Sequence, residues 1–117
     1  PVAIDIESWR HAAGLDDLDG RIFAPRERRW LASRPRVNRA AQGISPFHCA
    51  ALRLWVRKEC MIKLGRIDLD SLAALELQPS IGRLDAAAPH FTDFADRRWR
   101  ISGAVACSGR ARVEFCA

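Results

Sequence analysis

The chain has 117 residues, of which 49% are hydrophobic, 28% charged and 8% aromatic, which suits one compact domain with a modest core and excludes a disordered chain. No apolar run approaches the ~20 residues of a bilayer span, so an integral membrane protein is excluded as well. The net charge is +5, and of nineteen basic residues only Lys58 and Lys63 are lysine.

In chain order, Val2 to Glu7 alternates and predicts a strand. Val2, Ile4 and Ile6 share one face, and Ala3, Asp5 and Glu7 share the other. Ala13 to Arg21 predicts a loop or short helix, with Leu15, Leu18 and Ile22 at helical spacing. Pro25 suits the first turn of a helix reaching Ser33, whose Arg26-Glu27-Arg28-Arg29 run reads as a solvated face. Arg34 to Gly43 is a polar loop. Ser45-Pro46 then signals a helix start, and the longest helix is expected from Phe47 to Leu64, with Gly65 as its C-terminal stop.

Ile67 to Gln78 reads as a linker ending in a short strand, and Pro79 to Pro89 as a connection. Phe91 to Cys107 and Arg110 to Cys116 predict strands of a hairpin turning at Ser108-Gly109. Trp9, Trp30 and Trp99 are read as core residues in preference to stacking platforms. The four cysteines, Cys49, Cys60, Cys107 and Cys116, form no CxxC pair and have no histidine at zinc spacing, so they read as structural thiols. The N-terminus carries no basic signal-peptide region, and a cytoplasmic location is expected.

Two patterns bear on chemistry. Asp5 and Glu7 project from one strand face, where two carboxylates repel and burial costs several kcal/mol without compensation. A hard divalent cation with oxygen ligands, Mg²⁺ above all, is one compensation; an exposed acidic edge strand is the plain alternative. In the long helix, Trp55, Glu59 and Lys63 recur every four residues on one face. Glu59 and Lys63 read either as a surface salt bridge or as a carboxylate–ammonium site on a partly apolar helix face, with Lys58 beside it.

Ala3-Ile4-Asp5-Ile6-Glu7, followed by Trp-x-x-Lys-Glu-x-x-x-Lys-x-Gly over Trp55–Gly65, resembles the 4′-phosphopantetheinyl transferase superfamily. Phe23-Ala24-Pro25-Arg26-Glu27 is similar to the segment between the two signatures. The stretches run in family order over residues 2 to 65. Ala3 stands where the family usually has Gly, and Cys60 where it usually has Ala. The Trp55 form looks more like the surfactin-synthetase-activating (Sfp-like) branch, whose members resemble two fused α+β units. This chain resembles the C-terminal unit, and no His-Ser motif of the other unit is present.

The resemblance implies a single α+β domain over residues 1–117, an antiparallel sheet packed against a long helix. It implies Mg²⁺-dependent transfer of 4′-phosphopantetheine from coenzyme A to a serine of an apo acyl or peptidyl carrier protein, releasing 3′,5′-ADP. By carry-over, Asp5, Glu7 and Glu59 would hold the metal. Glu59 would also help deprotonate the serine, and Lys63 would contact the phosphates. Lys58 would be a coenzyme phosphate contact or support one, and Glu27 would position a lysine or the base. Leu15, Leu18 and Ile22 are candidate carrier contacts or short-helix core. A homo-oligomer or a complementary N-terminal half is the expected partner. The competing reading is a non-catalytic, transferase-like binding module. The arginines between Arg26 and Arg39 raise nucleic-acid binding, but no zinc-finger, RNP-type or helix-turn-helix signature supports it.

Overall fold

The computed structural model describes residues 1–37, 43–77, 89–109 and 112–115. Strand β1 (Ala3–Ser8) runs into a 3₁₀ segment (Trp9–Leu18) and a single helical turn, α1 (Asp19–Ile22). Helices α2 (Pro25–Ala32) and α3 (Pro46–Lys63) follow, then a second 3₁₀ segment (Leu69–Ala74) and strands β2 (His90–Asp96) and β3 (Ile101–Cys107). The sheet is antiparallel in the order β1-β3-β2.

The helix ends follow local chemistry. Ser45 Oγ accepts from His48 N at 3.1 Å, and Pro46 occupies the first turn of α3. At the other end Gly65 takes φ 70°, Gly65 N donates to Ile62 O and Arg66 N to Met61 O, each at 2.9 Å. These are the paired bonds of a Schellman stop, and glycine meets the left-handed backbone without a Cβ penalty.

One face of α3 packs on the sheet across very small side chains. Ala3, Ala104 and Ala106 lie buried against Val56 and Cys60. The Cys60 Sγ reaches the Ala104 carbonyl at 3.4 Å, and burial pushes its thiol up to about 11, so it acts as packing. This close approach decides which face of β1 turns inward. Alanine fits beneath the helix where isoleucine would not, so Ala3, Asp5 and Glu7 face α3, while Val2, Ile4 and Ile6 are exposed. At Gly103 an added Cβ would stand 2.7 Å from the Asp5 carbonyl and would strike the Phe94 ring, so glycine lets β1 and β2 close over β3 there.

The opposite side of α3 meets the larger core, where Leu15, Ile22, Phe23, Leu31, Leu52, Leu54 and Leu77 are buried. Leu15 and Ile22 are therefore core residues and not the carrier contacts the sequence offered as one option; the Leu18 side chain lies outside the described residues. Trp9 is core, its indole N–H bonded to Ser102 Oγ at 3.0 Å, and Trp30 packs against the core edge.

The C-terminal hairpin differs from expectation. Its turn is Arg97 to Arg100, not Ser108-Gly109, and residues 112–115 form no strand. Asp96 Oδ1 accepts from Trp99 N at 2.9 Å, a local side-chain bond that starts a turn more strongly than the later Ser-Gly. Trp99 consequently stands in solvent, which corrects its assignment to the core. The strand expected before Gln78 is also absent from residues 75–77. Leu77 N donates to Glu27 Oε2 at 2.8 Å instead of to a neighbouring strand. Residues 38–42, 78–88, 110–111 and 116–117, including Cys116 and most of the Pro79–Pro89 connection, lie outside the described residues.

A buried ion pair pins α3 to the rest of the domain. Lys58 Nζ donates to Glu27 Oε1 at 2.5 Å and to the carbonyls of Ile22 and Leu72, each at 2.6 Å. Glu27 also accepts from Ala24 N and Leu77 N, both at 2.8 Å. Both side chains are fully buried, and burial draws the Lys58 ammonium below its ordinary range against the pull of Glu27. Lys58→Met leaves an enclosed carboxylate without its cation and is expected to cost about 3–5 kcal/mol in urea unfolding followed by circular dichroism. Adding Glu27→Gln to it should recover part of that loss. A single variant as stable as the parent would contradict this account of the pair.

Candidate functional site

Glu59 and Lys63 lie four apart on α3, on the side of the helix that reaches the β1 edge of the sheet. Lys63 Nζ donates to Asp5 Oδ1 at 2.9 Å and to the Ile4 carbonyl at 2.8 Å. The ammonium is about half exposed, whereas the Asp5 carboxylate is mostly enclosed. Asp5 Oδ2 is buried and has no hydrogen-bond partner among the described residues. An unsatisfied buried carboxylate oxygen is costly, and native structures rarely keep one without a reason.

The three carboxylates share one electrostatic field. Burial raises the Asp5 carboxyl above its ordinary range; Lys63 opposes this, and the Glu7 charge adds to it. Burial also raises Glu59, with Asp5 and then Glu7 pushing the same way against Lys63. Asp5 in turn raises Lys63, chiefly through their hydrogen bond, and keeps it cationic. Glu7 accepts from His11 Nδ1, a partner the sequence reading did not single out. The only sequence signal for that contact is a spacing of four across the end of a strand.

The structure thus brings Asp5, Glu59 and Lys63 together and places Glu7 at the margin, engaged by His11. Among the described residues, no three His, Cys, Asp or Glu side chains converge closely enough to hold a metal by themselves. Mg²⁺ commonly takes one or two carboxylates and completes its shell with water and substrate phosphate, so the free oxygen of Asp5 beside Glu59 fits such an ion.

Lys58 and Glu27 lie elsewhere. Lys58 projects from the other side of α3, and three protein oxygens take up its three protons. It therefore has no hydrogen left for a coenzyme phosphate, and the expectation of a direct phosphate contact is corrected. Glu27 does position a lysine, but that lysine is Lys58 and neither residue reaches Asp5.

Three further charged groups, Arg53, Arg57 and Asp93, were not legible as partners. Arg57 Nε donates to Asp93 Oδ1 and Arg53 Nε to Asp93 Oδ2, each at 2.8 Å, and Arg57 Nη1 reaches the Leu77 carbonyl at 3.0 Å. Burial alone would raise Asp93, but Arg57 and then Arg53 outweigh it and hold its carboxyl below the ordinary range.

The raised carboxyls have a consequence for stability. A carboxyl with a raised folded pKa contributes stability below its ordinary pKa and loses it as pH rises through the raised value. At neutral pH the ionised cluster works against folding. Glu59→Gln is therefore expected to raise the melting temperature modestly at about pH 7, with the gain shrinking toward about pH 4. Thermal melts across that range check it, and a variant less stable than the parent at neutral pH would refute the assignment of strain to Glu59.

No curated protein and no solved structure matches the chain. A family model described as the 4′-phosphopantetheinyl transferase superfamily matches residues 1–113. With that match running through β1, α3 and the hairpin alike, the chain belongs to the 4′-phosphopantetheinyl transferase superfamily.

Proposed function

We propose that this protein is an Mg²⁺-dependent 4′-phosphopantetheinyl transferase of the Sfp-like branch, moving 4′-phosphopantetheine from coenzyme A to a serine of an apo acyl or peptidyl carrier protein. The observation that carries this reading is the buried, unpartnered Asp5 Oδ2 beside Glu59 and Lys63 in a chain of this superfamily. A carboxylate oxygen that the protein itself leaves unsatisfied is suited to a cation brought by the reaction.

Asp5 and Glu59 would hold the ion, with Glu7 joining on leaving His11. Bound there, Mg²⁺ supplies divalent charge against the pyrophosphate of coenzyme A. The chain's own residues do the rest. Glu59, whose carboxyl burial holds above its ordinary range, takes the proton of the carrier serine as that oxygen attacks the β-phosphorus. A new P–O bond forms to the serine, the pyrophosphate P–O bond breaks, and 3′,5′-ADP leaves. Lys63, long, exposed and firmly cationic, offsets the charge growing on the departing phosphate. Lys58 and Glu27 act as positioning residues, fixing the rotation of α3 and hence the direction of Glu59.

The acceptor fits the protein's charge. Arg21, Arg28 and Arg29 on α1 and α2 are exposed, and a basic surface favours an acidic carrier domain. The uncovered apolar face of β1, with Val2, Ile4 and Ile6, supports association with a second unit, either a complementary half or another copy.

Incubation with coenzyme A, Mg²⁺ and an apo carrier domain, followed by mass spectrometry of the carrier, is expected to show one added phosphopantetheine. Glu59→Gln should slow the transfer by roughly a hundredfold or more. A folded protein that gives no mass gain, alone or with a second half supplied, would overturn the transferase reading in favour of a binding module.

A further inference from the structure

The turn between β2 and β3 reads Arg97-Arg98-Trp99-Arg100, and all four side chains are exposed. Trp99 is 62% exposed. The turn carries its indole on a fixed support. Asp96 Oδ1 holds the Trp99 backbone N–H at 2.9 Å, and the Arg98 guanidinium lies 5.3 Å from the ring centroid. Arg100 takes φ 52°, a left-handed backbone that glycine or asparagine would meet more easily. The turn therefore keeps a guanidinium there at a conformational cost.

Strand β1 reaches the same end of the sheet. Ser8 pairs with Ile101, and Trp9 N donates to the Arg100 carbonyl at 2.9 Å. Arg10 follows at once and is exposed, and a groove lined in part by Arg10, Trp99 and Arg100 joins the two segments. Arg36, Arg53 and Arg57 each meet a carboxylate. Arg10, Arg97, Arg98 and Arg100 meet none among the described residues. The carboxylate of the turn itself, Asp96, offsets only a part of their charge. One exposed indole thus stands among four unpaired guanidinium groups on a projecting turn.

We infer that this end of the sheet docks on an anionic lipid surface, with the Trp99 indole seated at headgroup level and the four arginines on the headgroup anions. An indole combines an apolar body with a polar N–H, which suits the boundary between headgroups and acyl chains. Arginine stems lie along apolar surface while their guanidinium groups stay in the polar layer. A nucleic-acid strand would gain a single stack here, where strand-binding proteins use a series of aromatics. An acidic protein partner would call for an apolar centre larger than one ring, with the charges at its rim. Such docking is independent of the transferase reading and needs no spanning segment; no helix among the described residues is long and apolar enough to cross a membrane.

Co-sedimentation of the full chain with vesicles of phosphatidylcholine, alone or mixed with phosphatidylserine, tests the surface directly. Binding is expected to the mixed vesicles only, with a blue shift of tryptophan fluorescence, and it should weaken as salt is raised. Trp99→Ala should abolish the blue shift and weaken binding roughly tenfold. Arg97→Gln and Arg100→Gly should each weaken it roughly fivefold. Arg100→Gly should also melt no lower than the parent, because glycine relieves the positive φ, which separates lost docking from lost folding. Arg28→Gln, at an exposed position of α2 away from the turn, should bind like the parent. No binding to the mixed vesicles, equal binding to both vesicles, or binding unchanged by Trp99→Ala would each overturn the inference. A loss in Arg28→Gln as large as in Arg100→Gly would also overturn it, by reducing the effect to net charge. Turn-dependent binding of single-stranded DNA or of an acidic protein domain, without vesicle binding, would refute it in favour of that partner. The carrier-modification assay contains no lipid, so either reading can fail while the other stands.

Discussion

The contact on which the rest depends is the close approach of α3 to the alanine face of β1 and β3. Ala3, Ala104 and Ala106 provide a floor low enough for Val56 and Cys60 to sit on, and a larger side chain at any of them would lift the helix. Such a floor also leaves only the small and polar side of β1 able to turn inward. Asp5 and Glu7 face the helix because Ile4 and Ile6 would not fit there. The acidic pair is thereby carried toward the interior by the packing of its neighbours, at an electrostatic cost the fold tolerates.

Helix α3 lays cations over both edges of the sheet, and the two edges are unlike. Asp5 and Asp93 both pair with Ala104 on β3, so they occupy one row of the same face. Asp93 receives two guanidinium groups and is held below the ordinary carboxyl range. Asp5 receives one half-exposed ammonium, is held above that range, and keeps an oxygen without a partner among the described residues. Equal positions with opposite electrostatics separate an anchor from a site. The first is a satisfied network that ties β2 to the helix, and the second keeps a buried carboxylate oxygen unsatisfied beside Glu59 and Lys63. The Lys58–Glu27 pair on the far side of α3 holds the rotation that makes both possible.

Much of this was legible in the chain. The Ser45-Pro46 start and Gly65 stop of α3 rest on local backbone chemistry, as does the alternation of β1, and each appears where the pattern puts it. The Asp5, Glu59 and Lys63 grouping was legible through the ordered motifs. The hairpin turn was not, because Ser108-Gly109 and Asp96 to Arg100 are both competent turn formers. The choice between them depends on which residues of β3 must lie beneath the helix. Nor could the two lysines be told apart. One step along a helix from Glu59, Lys58 is swung toward the core and Lys63, four steps on, toward the solvent edge.

The scarcity of lysine in an arginine-rich chain by itself marked two positions where a compact ammonium is kept. Tertiary structure assigned them opposite duties, since only the packing of α3 decides which side is enclosed. Lys58 fits a pocket of three oxygens that a planar guanidinium would not enter, and Lys63 reaches Asp5 and the Ile4 carbonyl from a half-exposed position. Composition and motif order determined the family and the chemical kinds of residue in the site. The tertiary structure decided which carboxylate is left unsatisfied, that Glu7 is engaged by His11, and that Trp99 and Arg100 stand outside the core beside an open groove. Those outcomes depend on side chains distant in sequence meeting or failing to meet, which no local pattern encodes.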